Sequence, residues 1–336
     1  MGKLGVGVLG VGGMGRRHAE NLRHLALDAE LVAVADADLP RAQAVAAELG
    51  IERAFGSFDA MLEEKAIQAV VIASPDRFHA EGIRAAAAAG KDILCEKPLA
   101  LNLEDALQAL AAVERAGVRL QIGFMRRYDP AYARARARIE AGEIGEPVVF
   151  KSIGRDRLPP PIEAYQGRLN GMLFLNSTIH DFDLARWLMG DEVAEVSAFG
   201  TTAIRPEVAE HGDIVAGVVN LKYRRGAIGN VESYVQCLYG YDVRTEIAGS
   251  KGSIMIGSQR SLRATILKPE GSLNEIPDHF LSYFADAYVA EILDFVRCIR
   301  DGGAPRVTGE DGLRALRTSL AAQDSLRRQA PSFVAV

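Results

Sequence analysis

Cysteine is scarce in this chain, with three residues in 336. Cys95, Cys237 and Cys298 lie far apart, without CxxC or metal-ligand spacing. That excludes a disulfide framework and points to a reducing compartment, the cytoplasm. Long apolar runs are also missing: nothing approaches the roughly 18–20 residues that span a bilayer, so no membrane partner is expected. The apolar start Leu4–Leu9 is interrupted by glycines and followed by Arg16 and Arg17, with no small-residue cleavage pattern, unlike a secretion signal. No sign of charge dominates. Thirty-nine Lys and Arg against 44 Asp and Glu leave a formal net charge of −5, which gives no global attraction to nucleic acid. Arg134, Arg136 and Arg138 alternate along a helix and spread over several of its faces, as in a solvated or subunit-contact surface. With six histidines, none in HExxH, and no cysteine pair, no metal is expected. The single tryptophan, Trp187, reads as helix packing.

Hydrophobic residues make up 49%, ordinary for a globular protein, and the length suits two domains. In the first third, short apolar strands alternate with alanine-rich helices. Strands are expected at Leu4–Leu9, Glu30–Ala35, Ala69–Ala73, Asp92–Cys95 and Arg119–Ile122. Helices are expected at Gly13–Leu25, Pro40–Leu49, His79–Ala89 and Leu103–Ala116, three of them stopped by Gly50, Gly90 and Gly117. Such alternation implies an α/β doubly wound parallel sheet, a Rossmann domain over residues 1–123. From 124 to 336 the pattern changes. A helix at Tyr132–Glu140, a strand at Val148–Ile153 and a helix around Ser177–Met189 precede hairpin-spaced strands. These are Val193–Thr202, Ile214–Tyr223, Ala227–Gln236, Val243–Ala248, Ser253–Ile256 and Leu262–Leu267. They predict a second α/β domain with a large, open, mostly antiparallel sheet, one face covered by helices and the other free to join a second subunit. Helices near Tyr283–Arg300 and Gly309–Gln329 close the chain and are candidates to pack back on the first domain.

Gly10-Val11-Gly12-Gly13-Met14-Gly15 fits G-x-G-x-x-G, follows a strand and opens a helix, the context that confirms a dinucleotide fingerprint. Gly10 permits the tight turn, Gly12 lets pyrophosphate approach the backbone, and Gly15 allows close helix–strand packing. Gly13 and Met14 complete the loop, and the helix N-terminus offers N–H groups to the anion. Asp36 ends the second strand about twenty residues on, where an acid accepts hydrogen bonds from ribose hydroxyls and repels a 2′-phosphate. The cofactor read from this is NAD rather than NADP, with Arg41 the one local basic group that complicates the preference. At the fourth strand end, Ser74-Pro75 shapes a turn suited to pass under the cofactor. His79 is a helix-start histidine packed on the sheet, with a minor part in cofactor contact.

Two polar constellations remain. Glu96-Lys97-Pro98 follows the apolar run Ile93-Leu94-Cys95, which places Lys97 where carboxyl ends of parallel strands face the ligand crevice. Asn176 and His180 are four apart and would share one helix face.

With Gly10–Gly15, Glu96-Lys97-Pro98, Gly123-Phe-Met-Arg-Arg-Tyr-Asp129 and Ile179-His180-Asp-Phe-Asp183 in this order, the chain resembles the glucose–fructose oxidoreductase, inositol dehydrogenase and MocA family of nicotinamide-dependent oxidoreductases. Gly123–Asp129 and Tyr239-Gly240-Tyr241-Asp242 are most similar to inositol 2-dehydrogenases. The resemblance implies a cyclic polyol or sugar substrate and a homotetramer or homodimer joined through the second-domain sheet. It implies catalytic roles for Lys97, His180 and the position of Asn176, where the family has aspartate. It also implies substrate contacts from Arg126, Asp156 and Tyr241, and cofactor contact from Glu96 and Lys97. Asparagine keeps the shape but carries no charge, so it cannot raise the basicity of a neighbour as a carboxylate would. In the mechanism expected, His180 takes the hydroxyl proton, hydride leaves for nicotinamide, and Lys97 stabilises the reacting oxygen. The rival expectations are an NADPH-dependent sugar or keto-sugar reductase of the same fold and a non-catalytic NAD-binding regulatory protein.

Overall fold

The first apolar runs and the helical stretches between them fold as βαβ units. In chain order they are β1 (Leu4–Leu9), α1 (Gly13–His24), β2 (Ala29–Ala35), α2 (Leu39–Leu49), β3 (Arg53–Phe55), α3 (Phe58–Leu62), β4 (Ala69–Ile72), α4 (His79–Ala88), β5 (Asp92–Glu96), α5 (Leu103–Ala116) and β6 (Leu120–Gly123). The six strands are parallel, in the order β3-β2-β1-β4-β5-β6. β4 is buried throughout, which is why its sequence is an unbroken apolar run of Ala, Val and Ile rather than alternating. The order reverses between β1 and β4, and the carboxyl ends of strands at such a switch point bind ligands in open α/β sheets. Helix ends follow local chemistry. The Asp38 and Asn102 side chains accept from N–H groups of the first turns of α2 and α5, and Gly50 and Gly117 close those helices at φ 62° and 65°.

The later elements are α6 (Pro130–Glu140), β7 (Pro147–Asp156), α7 (Ile179–Met189), β8 (Val193–Thr201), β9 (Ala216–Tyr223), β10 (Ile228–Val235), β11 (Asp242–Gly249), β12 (Ser253–Ile256), β13 (Thr265–Lys268), β14 (Gly271–Asn274), α8 (Phe280–Tyr283), α9 (Ala285–Asp301), α10 (Gly309–Arg328) and β15 (Ser332–Phe333). Seven strands form one sheet, β12-β11-β7-β10-β9-β8-β15, in which only the β7–β10 pair is parallel. In β9 and β10 burial alternates strictly, the signature of a sheet with one packed face and one open face. Arg136 of α6 donates to the Trp187 carbonyl of α7 and lies over its ring, so the tryptophan is packed between helices.

The computed structural model describes residues 2–165, 172–257, 265–274, 277 and 279–335. Residues 262–264 of the strand expected at Leu262–Leu267 lie outside them. The chain divides into two units, Met1–Tyr128 with Asp286–Leu316, and Asp129–Ala285 with Arg317–Val336. Within the first unit, Ile292, Phe295 and Val296 of α9 join Val6, Leu22 and Val34 in one core. The Ile122 N–H donates to the Val307 carbonyl at 3.1 Å, beside a Gln121–Thr308 bridge that extends the β6 edge. No helix among the described residues is long and apolar enough to cross a membrane.

Candidate functional site

The glycine turn is shaped by what a side chain would strike. Gly10 has φ +81°, and a Cβ there would sit 2.7 Å from the Ala73 carbonyl oxygen; on Gly15 it would lie 1.7 Å from the Gly10 oxygen. Only glycine lets β1, α1 and the β4 end approach so closely. Gly12 and Gly13 meet nothing within 4 Å, so their backbone stands open. Helix α1 begins at Gly13 next to Met14, with no side-chain cap and no acid in its first turn. Uncapped N–H groups facing open space fit a pyrophosphate.

Asp36 stands just beyond β2 and is 6% exposed. Its carboxylate accepts from the Val11 N–H at 2.9 Å and the Asp38 N–H at 3.0 Å. Arg41 adds Nε at 3.2 Å and Nη2 at 2.6 Å, one on each oxygen. Burial alone would raise the Asp36 pKa; the Arg41 guanidinium and the two backbone donors overcome it and hold the carboxyl below its usual range. The sequence named Arg41 as a complication, and the structure makes it the partner of Asp36.

Lys97 follows β5 and is half-buried. It precedes a cis peptide bond to Pro98. His79 ties this turn to the end of β4: its Nδ1 lies 2.7 Å from the Pro98 carbonyl oxygen and its Nε2 2.9 Å from that of Ser74. Burial lowers the His79 pKa against the pull of those carbonyls. Both ring nitrogens therefore face backbone carbonyls, and His79 links the Ser74-Pro75 and Lys97-Pro98 segments. Glu96 is buried and bonded to His18 Nε2 at 2.7 Å, a contact that sequence reasoning missed. Arg126 is 4% exposed, in the turn Met125–Tyr128 after β6.

In the second unit a wide π-turn, Met172–Ser177, carries Asn176 and ends just before α7. The expected single helix from Ser177 is corrected here, because Asn176 and His180 flank a junction rather than sharing one regular helix. The Thr178 N–H bonds the Leu173 carbonyl five residues back at 2.8 Å, and the Thr178 hydroxyl bonds that carbonyl and Ser233. π-turns of this kind recur at functional sites. His180, the second residue of α7, is 7% exposed. Its neighbour Asp181 takes the Ser152 hydroxyl at 2.5 Å, and a Cβ on Gly154 would lie 3.0 Å from its Oδ2. Asp156, at the end of β7, accepts from Ser177 Oγ at 3.1 Å. That bond brings Asp156 to the segment bearing Asn176 and His180. Tyr241 precedes Asp242, which pairs with Arg155 next to Asp156; it is 5% exposed in an aromatic cluster with Tyr283 and Phe284, ring centroids 5.4 and 6.2 Å away.

Comparison with known proteins accounts for both halves. Residues 4–124 match the model of an oxidoreductase family with an NAD-binding Rossmann fold, and residues 136–332 that family's C-terminal alpha/beta domain. The scyllo-inositol 2-dehydrogenase (NAD(+)) of Bacillus subtilis is 41% identical over 96% of this chain and 94% of its own length. The myo-inositol 2-dehydrogenase of Thermotoga maritima is 37% identical over 96% of each. A scyllo-inositol dehydrogenase from Lactobacillus casei, solved with NAD(H) and scyllo-inositol, superposes with a TM-score of 0.94 at 29% identity, over 99% of this chain and 100% of that one. With both domain models matched and relatives above 30% identity along nearly its whole length, this chain belongs to the Gfo/Idh/MocA oxidoreductase family.

Proposed function

We infer that this chain is an NAD-dependent dehydrogenase that oxidises a ring secondary alcohol of a cyclic polyol, an inositol. The observation that carries the reading is the near full-length similarity to scyllo- and myo-inositol 2-dehydrogenases, joined to a glycine turn and Asp36 suited to NAD. When bound, the nicotinamide supplies the hydride acceptor. Gly10, Gly12, Gly13, Met14 and Gly15 cradle the pyrophosphate, Asp36 binds the adenosine ribose, and the Ser74-Pro75 and Glu96-Lys97 segments line the nicotinamide end. His180 accepts the hydroxyl proton as general base. Lys97 donates a hydrogen bond to the reacting oxygen and stabilises the negative charge that grows on it. Asn176 orients His180 or an adjacent hydroxyl, while Arg126, Asp156 and Tyr241 contact the rest of the ring. We assign the dinucleotide to the first unit and the polyol hydroxyls mainly to the second.

General acid–base help of this kind contributes about 10²–10⁴ in rate. His180→Ala is expected to lose at least that much turnover on scyllo- or myo-inositol while NADH affinity changes little; near-normal turnover would remove His180 from the mechanism.

The open face of the seven-stranded sheet supports a homo-oligomer. Phe199 of β8 and Val218 of β9 are paired neighbours there, and Ile228 begins β10. All three are exposed, amid Lys151, Glu195 and Glu232. Phe199→Glu is expected to shift the sedimentation coefficient to that of a smaller species, and an unchanged value would place the interface elsewhere. Three free, buried cysteines support a cytoplasmic location, which cell fractionation tests.

A further inference from the structure

A fully buried polar cluster lies directly behind the lysine turn. His18 comes from α1, Glu96 from the last position of β5, and Glu291 from the middle of α9. One ligand-capable atom of each lies within 4.8 Å of the other two. His18 and Glu291 are 0% exposed and Glu96 is 6% exposed. His18 Nε2 holds Glu96 Oε1 at 2.7 Å, with its ring edge-on to Tyr288. Neither oxygen of Glu291 has a hydrogen-bond partner, nor has His18 Nδ1. A Cβ on Gly123 would lie 3.0 Å from Glu96 Oε2, so glycine is what leaves room for this carboxylate beside β6.

Two ionised carboxylates this close and this dry repel strongly, so a single proton settles on one of them. The surroundings choose which. Burial works against an ionised Glu96, but the bond to His18 and the pull of that ring, and then the positive charge of Lys97, its chain neighbour, overcome it. Glu291 has no cation of its own and feels Glu96 and Asp294. Glu96 therefore keeps the charge and Glu291 keeps the proton. Neighbouring titratable groups fit that division. Cys95 is buried and held neutral, and His79 is pushed down by burial. Tyr128 gives its hydroxyl to Asp294 at 3.1 Å, while Arg306 sits near both Tyr128 and Asp294.

We propose that His18, Glu96 and Glu291 are positioning residues for Lys97. They form a buried cluster in which the two carboxylates share one proton, an arrangement that leaves one ionised carboxylate next to the lysine, anchors the end of β5, and keeps the Lys97 amine protonated as a hydrogen-bond donor. The inference rests on the role given to Lys97 in the proposed function. Nothing else in that mechanism uses Glu291 or His18.

Two measurements on the full-length protein test it. The first is infrared spectroscopy at neutral pH: the unsubstituted protein is expected to show a buried protonated-carboxyl C=O stretch that Glu291→Gln lacks. Identical spectra overturn the proposal. Retention through dialysis of one equivalent of a divalent metal, lost in Glu291→Gln, also overturns it, in favour of a metal centre. The second is the pH profile of kcat for Glu96→Gln. An opposite charge within about 4–6 Å stabilises a charged group by one to three pKa units. The high-pH limb is therefore expected to move down by about one unit, with KM for the polyol changed less than about threefold. A profile that only loses amplitude would assign Glu96 a structural role and overturn the proposal. The infrared arm requires no turnover, so failure of the unsubstituted protein to oxidise any polyol would retire the function without deciding the cluster.

Discussion

Replacing Asp36 with alanine tests how the chain chooses its cofactor. A carboxylate offers about four acceptor positions, and all four are filled in this structure by Val11, Asp38 and two Arg41 nitrogens. The two backbone donors fix the carboxylate against the glycine turn. Ribose hydroxyls must then take the places of the Arg41 donors. Hydrogen bonds to a charged group contribute about 1.5–3 kcal/mol. Giving up the Arg41 pair costs no more than about 1 kcal/mol, because that side chain is half exposed. The net gain from Asp36 is about 0.5–2 kcal/mol, or roughly 2–30-fold in the NADH dissociation constant. Asp36→Ala is expected to weaken NADH binding by that factor. It should also strengthen NADPH binding, since the repelling charge has gone and Arg41 is released toward a 2′-phosphate. Fluorescence titration of both reduced cofactors checks this, with Asp36→Ala/Arg41→Ala as the control that should lose the gain for NADPH. A change in NADH affinity below twofold, or no gain for NADPH, would refute the accounting.

Asn176→Asp introduces a carboxylate at the position where the resemblance expects one and should raise turnover if missing charge limits the rate; unchanged or lower turnover would assign the amide a role of its own. Glu291 gives a pH signature. Burial raises its folded pKa well above the ordinary glutamate value, so the folded state holds a proton that the unfolded state releases. Its contribution is most favourable at or below the ordinary glutamate range and declines as pH rises toward the folded value. Thermal melts from about pH 5 to about pH 8 should therefore fall less steeply for Glu291→Gln than for the unsubstituted protein; parallel curves would show that Glu291 is ionised in the fold.

The parts of the molecule that could be read from the chain are those whose signal is local. The glycine fingerprint, the unbroken apolar run at β4 and the stops at Gly50 and Gly117 each follow from the conformations their own residues allow. β3, three residues long, has no period to detect, and β15 forms only by pairing with β8. The π-turn before α7 rests partly on Thr178 bonding Ser233, 55 residues away, so spacing alone suggested a plain helix. The cluster behind Lys97 depends on contacts across three elements, His18 to Glu96 being 78 residues apart. One trace of it was visible. Tyr288, Ile292 and Phe295 form the buried stripe of α9, and Glu291 lies on that stripe where an apolar residue belongs.

The discontinuous first unit has a consequence for how the chain is made. Its core closes only with Ile292, Phe295 and Val296, and the edge of β6 is met only by Val307 and Thr308. Synthesis proceeds from the N-terminus, so the nucleotide-binding half emerges first yet lacks part of its apolar interior until nearly the whole second unit has followed. The half translated first thus cannot finish packing until residues 286–316 emerge. Its early strands must wait, with β1 and α1 incompletely covered, for a helix encoded some 270 residues downstream, an interval set by Leu22 and Ile292.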